Sequence, residues 1–532
     1  MRGGRACARK ARENGAFPET AGGSPQDGVS RIHGGPMHRR CSGLLLHLTC
    51  LPSPHGVGDL GPTARDFADG LARAGQAVWQ MLPLTPTALS THNDPYHSLS
   101  AFAGNPLLLS PEDLARDGLL RPQDIASPPD FPENAVDFAR ATAHKAALLE
   151  LACSRFDPDD RDFRRFCAEE GPWLEDYALY AALRADFGGR PWAEWPEALR
   201  ERDPAARDAA RERLAGPVAR IRTEQFLFAR QWEALRRHCR DRGLLLFGDM
   251  PIYVDHDSAD LWTRPELWKL GDDRRPLAVA GVPPDYFSAT GQLWGSPVYD
   301  WPAHAAAGFD WWLARMERNL SRFDLLRIDH FRGLAAYWEV PAGEETAMNG
   351  AWVEAPGGEL LAALARRRAC LPLVAEDLGV ITPDVRELMA RFGLPGMKIL
   401  LFAFGEDLPH SPYAPHNMAR HAVAYTGTHD NLPTAGWWRE EATAEDKVRL
   451  QAYLGHKVPD DCVARELVRL AWASPADLAV APVQDLLGLG REARMNRPGV
   501  LAGNWGWRLT PAQAAALDWE RLLDLTRLYG RA

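Results

Sequence analysis

The stretch Phe323-Asp324-Leu325-Leu326-Arg327-Ile328-Asp329-His330-Phe331-Arg332-Gly333 decides how the chain of 532 residues is read. Its apolar residues, its two charges spaced by two and its glycine exit suit a short buried strand and not a helix. Side chains two apart on a strand share a face, so Arg327 and Asp329 point the same way from the strand's end. A guanidinium beside a carboxylate favours the ionised form, so Asp329 is expected to be charged at neutral pH. Such a carboxylate at the end of a buried strand meets the need of a covalent glycosidase nucleophile. The same pair would serve equally as a structural ion pair at a strand end, and the rest of the chain has to discriminate.

Working outward, short apolar runs at residues 41–48, 77–82, 243–249, 324–329, 371–376, 397–403, 422–425 and 478–481 read as eight buried strands. Helical periodicity falls between most of them, for example at residues 62–74, 231–242, 311–320 and 359–368. A further helix opens on Thr382-Pro383 and stops at Gly393, with proline in its first turn and glycine at its end. Eight strands alternating with helices predict an α/β fold, a closed (β/α)8 TIM barrel. An open doubly wound sheet would carry a GxGxxG turn after its first strand, and the loop at residues 52–61 lacks that spacing. The barrel is expected to occupy residues 37–532, with insertions at about 84–230, 250–307 and 333–356. The first insertion reads as mainly helical, with prolines at 158, 172, 191 and 196 ending its helices, and the second as irregular. Residues 1–36 show no period and no apolar core segment, so they are expected to be a disordered leader or a start assigned too early, Met37 being the alternative start.

A net charge of −10 with no basic block argues against nucleic acid as a partner. No apolar run reaches the length of a membrane span. The eight cysteines form no CxxC pair and no framework spacing, which predicts reduced thiols and a cytoplasmic location. The HD pairs His256-Asp257 and His429-Asp430 lack HExxH or other ligand spacing, so neither metal nor cofactor is expected.

In a barrel the chemistry gathers where strands end and loops begin. Asp249, Asp329, Glu376 and Asp430 follow the third, fourth, fifth and seventh strands. A retaining glycosidase needs a nucleophilic carboxylate and a protonated acid about 5 Å apart. Neighbouring strands lie about 4.8 Å apart, so acids ending strands four and five can face each other at that distance. Glu376 has the longer stem and no cation evident in the sequence beside it, which suits proton delivery. Asp377 is expected to point to the other face.

The motifs LLLFGDMPI, FDLLRIDHFRG, PLVAEDLG and YTGTHDNLPT resemble the four sequence regions of the α-amylase clan. With LLLHLTCLPSPHGVGDLG, DPYHSLSAFAGNP, GVPPDYFSATGQLWG and ARMNRPGVLAGNWGWR, they are similar to the amylomaltase family of 4-α-glucanotransferases over nearly all of the chain from Arg40 to about Arg508. The resemblance implies a barrel with inserted, largely helical subdomains and no C-terminal β-domain. It implies Asp329 as nucleophile with Arg327 beside it, Glu376 as acid/base, and His429 and Asp430 gripping the distorted ring. It also implies sugar contacts from Asp249, stacking by Tyr96, and an acceptor side shaped by Asp285, Tyr286, Phe287, Gln292 and Trp294, with Asn496 nearby. The implied partners are maltooligosaccharides, glucose and other α-1,4-glucans, with a monomer or homodimer as the acting form. The chain departs from the family at Ser296, where an asparagine is usual, at Asp94 and His97 in place of SPYQS, and at LHLTCLPSP in place of LHPTSLPSP. Ser296 and His97 border the expected sugar path. A hydrolase of the same clan, or a glucan-binding barrel without activity, would share the scaffold, but the latter is expected to have lost one of the three acids.

Overall fold

In the computed structural model of the protein, which describes residues 39–284 and 288–532, the eight expected strands are all present. Here β1 is Cys41–Leu45, β2 Val78–Gln80 and β3 Leu245–Met250. They are followed by β4 (Ala278–Val282), β5 (Gln292–Pro297), β6 (Leu325–Ile328), β7 (Ala336–Pro341), β8 (Ala351–Glu354) and β9 (Leu373–Ala375). The last three are β10 (Gly396–Ile399), β11 (Ala422–Tyr425) and β12 (Leu478–Pro482). Eight of them close a parallel barrel in the order β1-β12-β11-β10-β9-β6-β3-β2. Their apolar runs are continuous and not alternating because both faces are covered, by side chains filling the barrel inside and helices outside. The expected strand at residues 397–403 ends early, its last part turning into the 3-10 helix Leu400–Phe402.

Two registers position the chemistry. Asp249 on β3 pairs with Arg327 on β6, and Ile328 on β6 pairs with Ala375 on β9. Asp329 and Glu376 therefore each stand one residue beyond a matched pair on neighbouring strands. Gly248 lets β3 approach Phe323 closely, since a Cβ there would lie 2.2 Å from the phenyl ring.

The chain between β2 and β3 is helical, with Arg161–Asp186 packed on Ala215–Arg240. The segment read as a separate helix at 231–242 is the end of this longer one. Pro172 was expected to end a helix but lies inside Arg161–Asp186, where packing against the neighbouring helix outweighs the lost backbone bond. The insertion after β3, read as irregular, and the one after β6, expected with the others to be largely helical, are both partly strand. They contribute a four-stranded antiparallel sheet in the order β5-β4-β7-β8. Its strands find partners across two separate insertions, so no single local pattern announces the sheet. The expectations for residues 1–36 and for Asp285, Tyr286 and Phe287 fall outside the described residues.

Candidate active site

At the C-terminal mouth of the barrel one hydrogen-bonded network joins seven of the residues singled out in the sequence. Arg327 Nη1 donates to Asp249 Oδ1 at 2.8 Å and Oδ2 at 2.7 Å, while Nη2 donates to Asp329 Oδ1 at 2.8 Å. The Tyr96 hydroxyl donates to Asp249 Oδ2 at 2.8 Å and lies 2.9 Å from His429 Nε2. His429 Nε2 is 3.3 Å from Asp430 Oδ2, and Asn496 Nδ2 donates to Asp430 Oδ1 at 2.7 Å. Asn496 is tied to this turn a second time, its backbone N–H donating to the His429 carbonyl at 3.0 Å.

Glu376 is held by main chain. Its Oε2 accepts the His330 N–H at 2.8 Å and its Oε1 the Leu378 N–H at 2.9 Å. His330 adopts φ 43°, a left-handed conformation that is strained for a residue with a Cβ and turns the chain sharply after β6. Asp377 points away as expected, accepting from Lys398 Nζ at 2.9 Å and Met397 N–H at 2.6 Å.

The charge expected on Asp329 is not set by Arg327 alone. Burial pushes the Asp329 carboxyl up, Arg327 opposes it, and Asp249, Glu376 and Asp430 push it up further. Glu376 is also raised, by burial first, with Arg327 again the main opposing influence. Glu376 therefore does feel a cation, the same guanidinium, contrary to the sequence-based expectation. Arg327 is divided between two carboxylates, and only one of its nitrogens reaches Asp329. Both the Asp329 and the Glu376 carboxyls are thereby held above the ordinary carboxylate range. Burial disfavours the charge on Arg327, but Asp249 and Asp329 outweigh it and hold the group well above its usual value. Burial also lowers the basicity of His429, keeping its ring neutral near pH 7.

Gln292 and Trp294 on β5 reach the network through His330, whose ring meets the Trp294 indole edge-on at 4.8 Å. The Trp294 Nε1 donates to Gln292 Oε1 at 3.3 Å. Three residues not singled out in the sequence belong here as well. His330 supplies the amide to Glu376, and its place directly after Asp329 was the available signal. Trp505 packs on Tyr96 and His429 at 5.8 and 5.9 Å and was visible only as part of a tryptophan-rich stretch. His47, buried beside His429 and pushed down to about 3 by burial, had no signal beyond its position after the first strand. Among the described residues no group of three or more His, Cys, Asp or Glu could hold a metal ion.

A closed barrel whose neighbouring strands β6 and β9 lead into Asp329 and Glu376, with Arg327 bonded to Asp329, is the arrangement of a carbohydrate-active enzyme. Comparison with known proteins narrows this further. The profile of glycoside hydrolase family 77, described as 4-alpha-glucanotransferase, matches residues 46–514. The chain is 47% identical over 494 residues to the 4-alpha-glucanotransferase of Thermus thermophilus, covering 91% of this chain and 97% of that one. It is 46% identical over 510 residues to that of Synechocystis, covering 93% and 99%. The amylomaltase of Streptococcus agalactiae, solved with acarbose, superposes with a TM-score of 0.89 at 36% identity, over 93% of this chain and 100% of that one. The chain belongs to the 4-alpha-glucanotransferase family.

Proposed function

We propose that the chain transfers α-1,4-glucan segments from a donor to the 4-hydroxyl of glucose or a maltooligosaccharide, with retention and through an ester to Asp329. Asp329 attacks the anomeric carbon while Glu376 gives its proton to the departing O4, breaking the glycosidic bond. Glu376, now ionised, takes the proton of an incoming 4-hydroxyl as that oxygen displaces Asp329. The observation that carries this reading is the register of β6 and β9, which sets Asp329 and Glu376 at equivalent positions on adjacent strands. The direct bond from Arg327 to Asp329 biases the pair's proton toward Glu376, the arrangement the first step requires.

Asp430 and His429 grip the ring hydroxyls, and Asn496 fixes the orientation of Asp430. Gln292 and Trp294 form the acceptor side, a role that the family resemblance extends to Asp285, Tyr286 and Phe287. Water is present at about 55 M, so transfer needs an acceptor held at high effective concentration in a site that excludes water. The cysteines among the described residues are free thiols, in keeping with action on cytoplasmic glucans.

Incubation with pure maltotriose tests the reading. Transfer yields glucose together with maltopentaose and longer chains, with no growth in reducing ends. Steady growth in reducing ends, with no product longer than the substrate, would identify a hydrolase.

A further inference from the structure

We infer that Arg332 is a positioning residue that clasps the turn after Asp329 to the loop after Glu376 and so sets the hydrogen bond that His330 gives Glu376. The inference rests on the roles proposed above for the two carboxylates. Arg332 lies in the 3-10 turn Phe331–Leu334, three residues beyond Asp329. Its Nη1 donates to the Val380 carbonyl at 3.0 Å and to the Thr382 hydroxyl at 2.9 Å. Val380 lies in the loop that leaves Glu376, and Thr382 stands at the N-cap position of the helix Pro383–Phe392, without a side-chain bond to its first turn. The flat of the guanidinium lies 3.9 Å from the centre of the Trp352 ring on β8. One side chain thus joins the loop of each catalytic acid and the antiparallel sheet.

The chemistry of these contacts points to geometry and not to ion-pair stability. Among the described residues the hydrogen bonds of Arg332 go only to neutral oxygens, and its Nε is buried without a partner. A buried donor left unsatisfied is costly, so a guanidinium spent on loop oxygens is a poor choice for stability alone. Trp352 remains 42% exposed, as expected of a ring that is there to back the guanidinium. Inside the clasp the same turn grips Glu376 twice, through His330 N–H to its carboxylate at 2.8 Å and Phe331 N–H to its carbonyl at 3.2 Å. Releasing Arg332 frees the turn to drift from the loop, and the His330 bond is the contact that lengthens.

The test is transfer kinetics of Arg332→Gln, Arg332→Lys and Thr382→Val in the full chain, with pH profiles. Arg332→Gln is expected to lower kcat about 10- to 100-fold, as small misplacements of catalytic groups do, with KM within about twofold. The His330 N–H favours the ionised form of Glu376. Its loss raises the pKa of the acid and moves the high-pH limb of the kcat profile to higher pH. The other charged groups around Glu376, which are Arg327, Asp329 and Asp377, are unchanged in these variants. Arg332→Lys should restore part of the rate, because an ammonium can reach the same two oxygens. Thr382→Val should move kcat and the profile in the same direction by less. Unchanged kcat and profile in Arg332→Gln would overturn the inference. So would a lower melting temperature and higher KM with an unmoved profile, which would mark a merely structural residue. If Asp329→Asn and Glu376→Gln keep their rates, the assignment of the acids fails instead, and the two failures are thereby separated.

Discussion

Arg327 and Asp249, matched across β3 and β6, form the most enclosed ion pair of the site, with side chains 4% and 0% exposed. The bond from Arg327 to Asp329 is the more open one, the Asp329 side chain being 27% exposed. Asp249 thus competes with the proposed nucleophile Asp329 for the guanidinium, and with burial this leaves Asp329 above the ordinary carboxylate range. A nucleophile bound to an undivided guanidinium would be less basic and slower to attack.

Removing Asp249 tests that relationship. Asp249→Ala leaves one side of a buried guanidinium unpaired and the Tyr96 hydroxyl without its acceptor. It is expected to cost about 3 kcal/mol or more of stability, as breaking one partner of a buried pair does. Transfer should fall beyond what unfolding explains, because Arg327 then acts on Asp329 alone. Chemical denaturation and kcat of the folded fraction measure the two effects. A variant as stable as its parent would show that the pair is not closed as described.

Asp329→Asn keeps the shape and removes the charge, so the chain should fold and lose transfer by several orders of magnitude. Glu376→Gln should fail on glucans yet retain partial activity on donors with good leaving groups, which need no proton. Mass spectrometry of that variant with an activated donor is expected to find a glycosylated peptide containing Asp329. A label on another acid would move the nucleophile.

Both carboxyls have folded-state pKa values raised by burial. The folded chain then binds their protons more readily than the unfolded chain does. The resulting stabilisation is complete below about pH 4, the unfolded value, and is lost as pH rises through the raised folded values. By pH 7 to 8, close to the folded value of about 8 for Asp329, most of that stabilisation is gone. Asp329→Asn and Glu376→Gln are expected to melt a few degrees higher there and equal to the parent below about pH 4. Lower melting temperatures at neutral pH would contradict the raised values.

Asp430→Asn should lower kcat with little change in donor affinity, the outcome that follows from its proposed grip on the distorted ring. Asn496→Ala removes one hydrogen bond to Asp430 and should reproduce the effect weakly, by about five- to tenfold, the worth of one such bond. A double variant no worse than Asp430→Asn alone would place both residues in one unit. Loss of affinity with unchanged turnover would make Asp430 a simple binding residue.

The sequence by itself determined the barrel and the four acids. Apolar runs of strand length, separated by helical periodicity, are local patterns, and the acids that follow four of these runs are visible without any partner. Arg327 and Asp329 could be placed on one face because a strand has a period of two. What only the tertiary structure decided is how these groups share charge. The division of Arg327 between Asp249 and Asp329 depends on the register between β3 and β6, which no single segment encodes. The same holds for the β5-β4-β7-β8 sheet, assembled from two insertions, and for the contact of Arg332 with Val380, Thr382 and Trp352. Each joins residues far apart in the chain, and the protonation of Asp329 and Glu376 follows from burial and from neighbours that folding alone brings together.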